Sequence, residues 1–125
     1  SKLIKANAKR LFVKPSEVIE EEALKVITNM QMLKELRIPD RVMLGGGGCQ
    51  RKEILEIIIR KLNPGGIVII PIVKLEDIFE LALILKDSKC RFSISQHQSS
   101  RGVALSTGTR LSPMNPVFIL KGKML

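Results

Sequence analysis

The spacing of apolar residues predicts two amphipathic helices in the first half of the chain. The first runs from Ala23 to Leu36, where apolar side chains recur at three- and four-residue intervals, at Ala23, Val26, Ile27, Met30 and Leu33. It ends before Pro39, since proline disfavours helix at the residue that precedes it. The second helix stops at the Asn-Pro-Gly-Gly turn of residues 63–66, and its apolar residues are Ile54, Leu55, Ile58 and Leu62.

Uninterrupted apolar runs predict strands before and after the second helix. Arg41–Leu44 is short and ends abruptly at four glycines, Gly45–Gly48. Ile67–Ile72 is apolar throughout, which is typical of a central parallel strand buried on both faces. Ser16–Glu20, and within it Val18–Glu20, is a further short strand candidate ahead of the first helix.

The last third of the chain predicts a helix and then an antiparallel pair of strands. The helix covers about Leu75 to Lys86, and Arg91–His97 resumes strand character. No helical period follows between His97 and Pro116, so we expect a loop there. Strands joined by a loop alone pair antiparallel, which predicts that Val117–Lys121 lies antiparallel to Arg91–His97. Strands alternating with helices define an α/β fold, in one domain over residues 1–125.

The sequence argues against a membrane-spanning or an exported protein. The longest apolar stretch, Ile67–Val73, has seven residues and contains Pro71, whereas a membrane helix needs about twenty. The N-terminal residues have no apolar core of the kind a secretory signal requires, which argues against export. Two cysteines, Cys49 and Cys90, are too few for a disulfide framework and have no metal-ligand spacing. We expect both to be buried thiols in a cytoplasmic protein.

The positive charge of the chain is concentrated near its C-terminus. Of the net +9, residues 86–125 carry +6, from seven basic residues and one acidic residue. Such a field attracts nucleic acid, anionic lipid or a polycarboxylate substrate. With four Phe and no Tyr or Trp, the chain lacks the stacking platforms that hold single-stranded nucleic acid, so nucleic-acid binding is the minor alternative.

Six short segments, taken in order, resemble one known family. They are Pro39–Gly48, Lys52–Leu55, Pro64–Gly66, Leu75-Glu76, Arg101-Gly102 and Asn115–Ile119. In order and spacing they are similar to the precorrin C-15 methyltransferases and decarboxylases of cobalamin biosynthesis. Asn7–Arg10 and Val18–Ala23 look like the second helix and third strand of that family. The resemblance covers nearly the whole chain, with Gly47 standing where the family usually has Ser or Thr.

The resemblance implies a fold and an activity. The fold is the C-terminal part of a Rossmann-like class I methyltransferase sheet, ending in an antiparallel strand pair. The family's first two strands, with a glycine-rich cofactor loop and a ribose-binding acid, would precede Ser1, so we expect a partial domain that is inactive alone. The family uses S-adenosylmethionine, methylates C-15 of a precorrin and decarboxylates its C-12 acetate. The resemblance also implies an anionic tetrapyrrole substrate and a homo-oligomer, which would be a tetramer.

Candidate cofactor-binding residues follow two predicted strands. Gly45, Gly46 and Gly47 lie where a parallel strand ends, at the edge where open α/β sheets bind ligands, and glycine lets a backbone approach a ligand. By resemblance, this loop lies beside the methionine end of the cofactor; a tight strand-to-helix turn is the alternative. Glu22 and Ala23 match an acid-alanine pair that contacts adenine in the family. The alternative is that Glu22 belongs to a solvated, acidic helix N-terminus.

Candidate substrate-binding residues are charged. Glu76 follows a buried strand at the same edge, where a carboxylate could orient a substrate group, or could simply stabilise its own helix. Arg101 and Arg110 could pair with precorrin carboxylates, or could be solvated loop charges. His97 ends a strand and could carry a proton, although a lone histidine is more often a surface residue. No catalytic residue is identified, for decarboxylation or otherwise.

Methyl transfer needs alignment and desolvation more than acid-base chemistry, which accounts for a sequence without a catalytic triad or a metal cluster. Two alternatives to an enzyme stay open. The chain could be a non-catalytic module that keeps the methyltransferase fold for binding or scaffolding. It could also be a methyltransferase-like nucleic-acid binder, which would show steep salt dependence.

Overall fold

A computed structural model describes residues 1–29, 37–46 and 48–125. Over these residues the helices are α1 (Lys2–Arg10), α2 (Ala23–Thr28), α3 (Arg51–Lys61) and α4 (Leu75–Asp87), with a 3-10 turn at Gly48–Gln50. The strands are β1 (Arg41–Met43), β2 (Ile67–Ile72), β3 (Cys90–His97), β4 (Ser100–Leu105), β5 (Gly108–Pro113) and β6 (Val117–Met124). None of the described helices is long and apolar enough to cross a membrane.

Four strands form the main sheet, in the order β1-β2-β6-β3. β1 pairs parallel with β2, and β6 pairs antiparallel with both β2 and β3. The predicted antiparallel pairing of the last strand is therefore confirmed, and its register places His97 opposite Val117. Because β2 and β3 are both antiparallel to β6, they run in the same direction as each other and as β1.

The hydrophobic core lies on one face of this sheet, called here the covered face. The crossovers β1-α3-β2 and β2-α4-β3 proceed in the same direction along the sheet, so right-handed connections bring α3 and α4 to the same side. The side chains that are fully buried between these layers are Leu55, Val68, Ile70, Ile72, Leu85 and Leu120. Helix α4 packs closely on β6, because a Cβ added to Gly122 would lie 2.8 Å from Cδ2 of Leu85.

The other face, called here the open face, is only partly buried. The prediction that β2 is buried on both faces holds fully on one face only, because Ile67, Ile69 and Pro71 alternate with its fully buried residues and are only partly buried. The register places Ile69 between Met43, which is 74% exposed, and Lys121. An apolar run shows that a strand is apolar on both sides, but it does not show that helices cover both sides.

The segment before α2 differs from the prediction. Ser16–Glu20, with Val18–Glu20, forms no strand, and the strand suggested by resemblance for Val18–Ala23 is also wrong, since Ala23 begins a helix. In the described part of the chain, no strand lies paired with this segment, and an extended segment forms a stable strand only when it is paired. The helix predicted over 23–36 is confirmed from Ala23 to Thr28, and residues 30–36 lie outside the described residues.

The region predicted as a loop before β6 contains a β-hairpin. β4 and β5 pair antiparallel and are joined by the two residues Ser106 and Thr107. This turn is Ser-Thr, not the Asn-Gly or Asp-Gly that marks the commonest two-residue hairpins, and neither of its residues has the positive φ of those turns. The missing turn signal explains why the sequence did not predict the hairpin.

Candidate active site at the carboxyl edge of the sheet

The carboxyl ends of three strands meet at one edge of the main sheet. β1 leads into the glycine loop (Gly45–Gly48), β2 leads into α4, and β3 ends at His97. The register confirms the alignment, since Ile72 at the end of β2 pairs with Phe118, and His97 pairs with the adjacent Val117. Open α/β sheets bind ligands at this edge, so the sequence-predicted residues that follow these strands share a location suited to binding.

The glycine loop has a backbone that requires glycine at two of its described positions. Gly46 has a φ of +86° and Gly48 a φ of +49°, a region that other residues rarely adopt. The amide of Leu44 still donates to the carbonyl of Ile69, at 2.9 Å, so the loop leaves the sheet directly after a paired residue. A Cβ on Gly45, Gly46 or Gly48 would meet no atom of the described residues within 4 Å, which leaves room for a ligand. Gly47 lies outside the described residues.

The first turn of α4 carries two acidic residues at the same edge. Glu76 and Asp77 stand in this turn, where a helix N-terminus favours negative charge. The Glu76 side chain is exposed, as a substrate-binding role would require. The Asp77 carboxylate is 3.5 Å from Nη1 of Arg51, which begins α3.

Arg51 connects the glycine loop to α4, which sequence reasoning did not foresee. Its Nε donates a hydrogen bond to the carbonyl of Gly46 at 2.6 Å, while its Nη1 faces Asp77. The arginine side chain is only 17% exposed. Its position directly after the glycine-rich turn was visible in the sequence, but a partner 26 residues away leaves no local pattern.

His97 lies at the same edge but has no acidic partner among the described residues. Its Nε2 lies 2.9 Å from the Ser95 hydroxyl, and both side chains are exposed. Two residues apart on one strand, they share the open face of the sheet. A hydroxyl neighbour orients an imidazole without supplying the charge that a proton relay uses.

Arg101 and Arg110 lie on the hairpin that projects from this edge. Arg110 pairs directly with Val103, and Arg101 is two residues from Val103 on the same strand. Directly paired residues share a face of a ladder, and so do residues two apart on one strand. The two guanidinium groups therefore belong to one face of the hairpin as diagonal neighbours, and both residues are exposed.

Glu22 and Ala23 are not joined to the glycine loop by any hydrogen bond or ion pair among the described residues. Glu22 precedes α2 and its carboxylate lies 3.5 Å from Lys25, while Ala23 is the first helical residue. The neighbouring Glu21 accepts a hydrogen bond from the Glu22 amide, and this bond, with the Lys25 charge, lowers the pKa of Glu21. These contacts fit the alternative of a solvated helix N-terminus.

The two cysteines differ in environment. Cys90 is buried as predicted, and burial raises the pKa of its thiol. The prediction that Cys49 is buried is wrong, because it lies in the exposed turn between the glycine loop and α3. Within residues 1–29, 37–46 and 48–125, no group of three or more His, Cys, Asp or Glu side chains could hold a metal ion.

Solved structures share this architecture. The precorrin-8w decarboxylase of Methanobacterium thermoautotrophicum superposes with a TM-score of 0.82 and 29% identity, over 97% of this chain and 62% of that one. The precorrin-6y C5,15-methyltransferase of Geobacter metallireducens GS-15 superposes with a TM-score of 0.79 and 22% identity, over 98% and 61%. The fold is thus the later part of a class I methyltransferase sheet, as predicted.

Sequence comparison then defines the family. The model of the precorrin methyltransferase domain matches residues 1–123, so this chain belongs to the precorrin methyltransferase domain family. The probable cobalt-precorrin-6B C(15)-methyltransferase (decarboxylating) of Methanothermobacter thermautotrophicus is 38% identical over 86 residues, which are 67% of this chain and 45% of that relative. The chain spans less than half of the length of this curated relative.

Proposed function

We propose that this chain forms the later part of the active site of an S-adenosylmethionine-dependent enzyme that methylates C-15 of a precorrin and decarboxylates its C-12 acetate. The observation that carries the proposal is the glycine loop, which lies at the carboxyl end of β1 with open space beside Gly45, Gly46 and Gly48. Family membership and the name of the Methanothermobacter relative support the same activity. The activity requires the remaining part of the domain that the longer relatives possess.

The glycine loop fits S-adenosylmethionine. Gly45 and Gly46 expose backbone without side chains, so a ligand can approach the main chain closely. When bound, the cofactor supplies a methyl group from its sulfonium. The role of this loop is to hold the cofactor's methionine end beside the substrate, because methyl transfer depends on alignment of the reacting atoms.

Glu22 and Ala23 are the weaker part of the proposed cofactor site. By resemblance they contact adenine, and Glu22 could accept a hydrogen bond from its exocyclic amine. In this structure the Glu22 carboxylate lies near Lys25 instead. An adenine role requires Glu22 to exchange this exposed ion pair for the ligand, at small cost because surface ion pairs contribute little to stability.

The proposed substrate residues surround the same edge with charges suited to a polycarboxylate. Arg101 and Arg110 share one hairpin face, where each guanidinium can bind a carboxylate through two hydrogen bonds. Glu76 has no ion-pair partner in the described part of the chain, which leaves its carboxylate available to orient a substrate group. Binding of the tetrapyrrole carboxylates far from the reacting carbon would help to align that carbon.

A chimeric protein tests the cofactor role. The N-terminal half of the Methanothermobacter relative would be joined to residues 37–125 of this chain, and S-adenosylmethionine binding measured by titration calorimetry. We expect the chimera to bind, and this chain alone to bind at least about a hundredfold more weakly. Two missing charge-assisted contacts of about 1.5 to 3 kcal/mol each account for that difference.

Two glycine variants test whether the chimera binds the cofactor through the glycine loop. Gly46→Val should abolish binding, because valine is strained at a φ of +86° and its side chain would occupy the ligand space. Gly108→Val, at the hairpin turn, is the matched control and should bind normally. A folded chimera that fails to bind would refute the cofactor role and favour a non-catalytic scaffold. Micromolar binding by this chain alone would show that the placement of the cofactor site is wrong.

The arginines are tested separately with the substrate. Arg101→Ala with Arg110→Ala in the chimera should weaken tetrapyrrole binding by about tenfold or more, since each hydrogen bond to a charged group contributes about 1.5 to 3 kcal/mol. S-adenosylmethionine affinity should be nearly unchanged. Arg91→Ala, an exposed arginine at the other end of β3, is the control. Equal loss of cofactor and substrate affinity would contradict a substrate role.

We also propose that the protein assembles as a homo-oligomer through β3 and the adjoining side of α4. β3 pairs only with β6 in the described structure, and seven of its eight residues are exposed. On α4, Leu75, Phe79 and Leu83 form an i, i+4 stripe with exposures of 58%, 73% and 58%. A long unpaired edge beside exposed apolar residues favours association with a second copy.

Analytical ultracentrifugation tests the assembly. Phe79→Asp should shift the population toward monomer, while Phe12→Asp, at a phenylalanine that is 97% exposed in the N-terminal segment, should not. A purely monomeric native chain at high micromolar concentration would reject the assembly. A tetramer, as the resemblance implies, and a cytoplasmic location remain predictions.

A further inference from the structure

Arg51 makes the contacts that join two separate segments of the ligand-binding edge. Its Nε donates to the Gly46 carbonyl at 2.6 Å, and its Nη1 lies 3.5 Å from Oδ2 of Asp77. The first contact holds the glycine loop, and the second holds the first turn of α4. Glu76, the proposed substrate residue, is the neighbour of Asp77 in that turn.

Local helix preferences do not explain an arginine at this position. Arg51 is the first residue of α3, where the positive end of the helix dipole disfavours a cation. A long side chain also loses rotamer entropy when it is held at 17% exposure. The two contacts must therefore compensate for both effects, which gives the arginine a role between segments rather than within its own helix.

The glycine loop has few internal means to keep a single conformation. Its glycines carry no side chains to pack, and the space around Gly45, Gly46 and Gly48 is open. Glycine is also the residue with the greatest backbone freedom. An external hydrogen bond to the Gly46 carbonyl is thus an effective way to order the loop.

We infer that Arg51 is a positioning residue, which holds the glycine loop and the first turn of α4 together as one wall of the ligand-binding edge. The ligand role of this wall rests on the proposed function, but the coupling itself requires no bound ligand. Arg51 acts through Gly46 and Asp77, the two residues that it contacts across the edge.

A second ion pair between the same helices provides a matched control. Lys52 lies 3.8 Å from Glu80, so it also joins α3 to α4, but neither residue has a hydrogen bond to the described glycines of the loop. Both side chains are more than half exposed, at 55% and 57%. Lys52→Gln removes one positive charge at the adjacent position without removing the loop contact.

NMR relaxation of the backbone amides, measured on the full chain without ligand, tests the coupling. Arg51→Gln should lower the order parameters of amides in residues 44–50 and in residues 75–78, from about 0.85 for rigid backbone toward about 0.6, because it removes both contacts. Asp77→Asn should lower the order parameters in residues 44–50 by a smaller amount, since Asp77 reaches the loop only through Arg51. Arg51→Lys should give an intermediate result, because lysine keeps the charge without the planar fork.

The control variant and two outcomes decide the inference. Lys52→Gln should leave the order parameters of both segments at their native values. Native order parameters in residues 44–50 of both Arg51→Gln and Asp77→Asn would overturn the inference, and so would an equal fall throughout the protein, which indicates general destabilisation. Asp77→Asn keeps the test valid if Arg51→Gln does not fold, since it changes little in shape. Failure of the chimera to bind S-adenosylmethionine would leave these results unaffected.

Discussion

The two faces of the main sheet differ sharply in burial although the same strands form both. On the covered face, Val68, Ile70 and Ile72 are fully buried under α3 and α4. On the open face, Ile69 is only partly buried between Met43 and Lys121. Neighbouring residues of one strand therefore contribute unequally to stability, since apolar burial contributes about 25 cal/mol per Å² removed from water.

The difference shows where the chain can tolerate change. The covered face is a close-packed layer, in which the loss or gain of a methyl group is felt. The glycine loop, the exposed Glu76 and the hairpin arginines lie outside this layer, at the edge of the sheet. The residues proposed to bind ligands can thus be altered without unfolding the core, which makes the tests of function interpretable.

Truncation of adjacent isoleucines should give the largest effect. Ile70→Ala should lower the free energy of unfolding by about 2 to 5 kcal/mol, because it leaves a cavity in the covered layer. Ile69→Ala should cost about 1 kcal/mol, since the side chain is only half-buried. Urea denaturation of both variants measures the difference. Equal losses would show that the open face is also buried in solution, for example by another subunit.

Addition of a methyl group, instead of its removal, should have an intermediate effect on the free energy of unfolding. Gly122→Ala adds a methyl group that would lie 2.8 Å from Cδ2 of the buried Leu85, so we expect a loss of about 1 to 3 kcal/mol from overpacking. Gly45→Ala adds the same group where no atom of the described residues lies within 4 Å, and the free energy of unfolding should change by less than about 0.5 kcal/mol. A neutral Gly122→Ala in thermal unfolding would show that α4 packs more loosely than its contacts indicate.

The covered layer was also the part of the fold that the sequence predicted best. Ile67–Ile72 and the helix from about Leu75 were placed correctly because a strong local pattern and a clear turn marked them. Val18–Glu20 failed because strand formation depends on a partner that local sequence does not reveal. One-sided burial of Ile67–Ile72 was missed for a similar reason, since coverage by helices is a property of the whole fold.

The candidate site was predictable only in part. The glycine loop was placed at the correct edge, since its position follows from the strand that precedes it. Arg51 and Asp77 were missed, because contact between two helices depends on tertiary packing. The arginines Arg101 and Arg110 were named, but their shared face became visible only with the register of the hairpin.

Removal of the hairpin, which belongs to neither face of the main sheet, should have the smallest effect on the free energy of unfolding. His97 and Val117 are paired at the ends of β3 and β6, so residues 98–116 can be replaced by Asn-Gly, the preferred sequence of a two-residue hairpin turn. The replaced segment contributes no fully buried side chain, and its strands pair with each other rather than with the main sheet.

Without this segment, the free energy of unfolding should change by less than about 0.5 kcal/mol, because little burial is lost and a shorter connection costs less entropy to close. Thermal and urea unfolding measure this change, with Leu120→Ala in the shortened chain as the control. That variant should still lose about 2 to 5 kcal/mol, since the fully buried Leu120 belongs to the covered face. A large loss from the excision alone would mean that the hairpin stabilises the fold, by docking on the open face or by pairing with another subunit. The stability of the covered layer would then depend on the edge that is proposed to bind ligands.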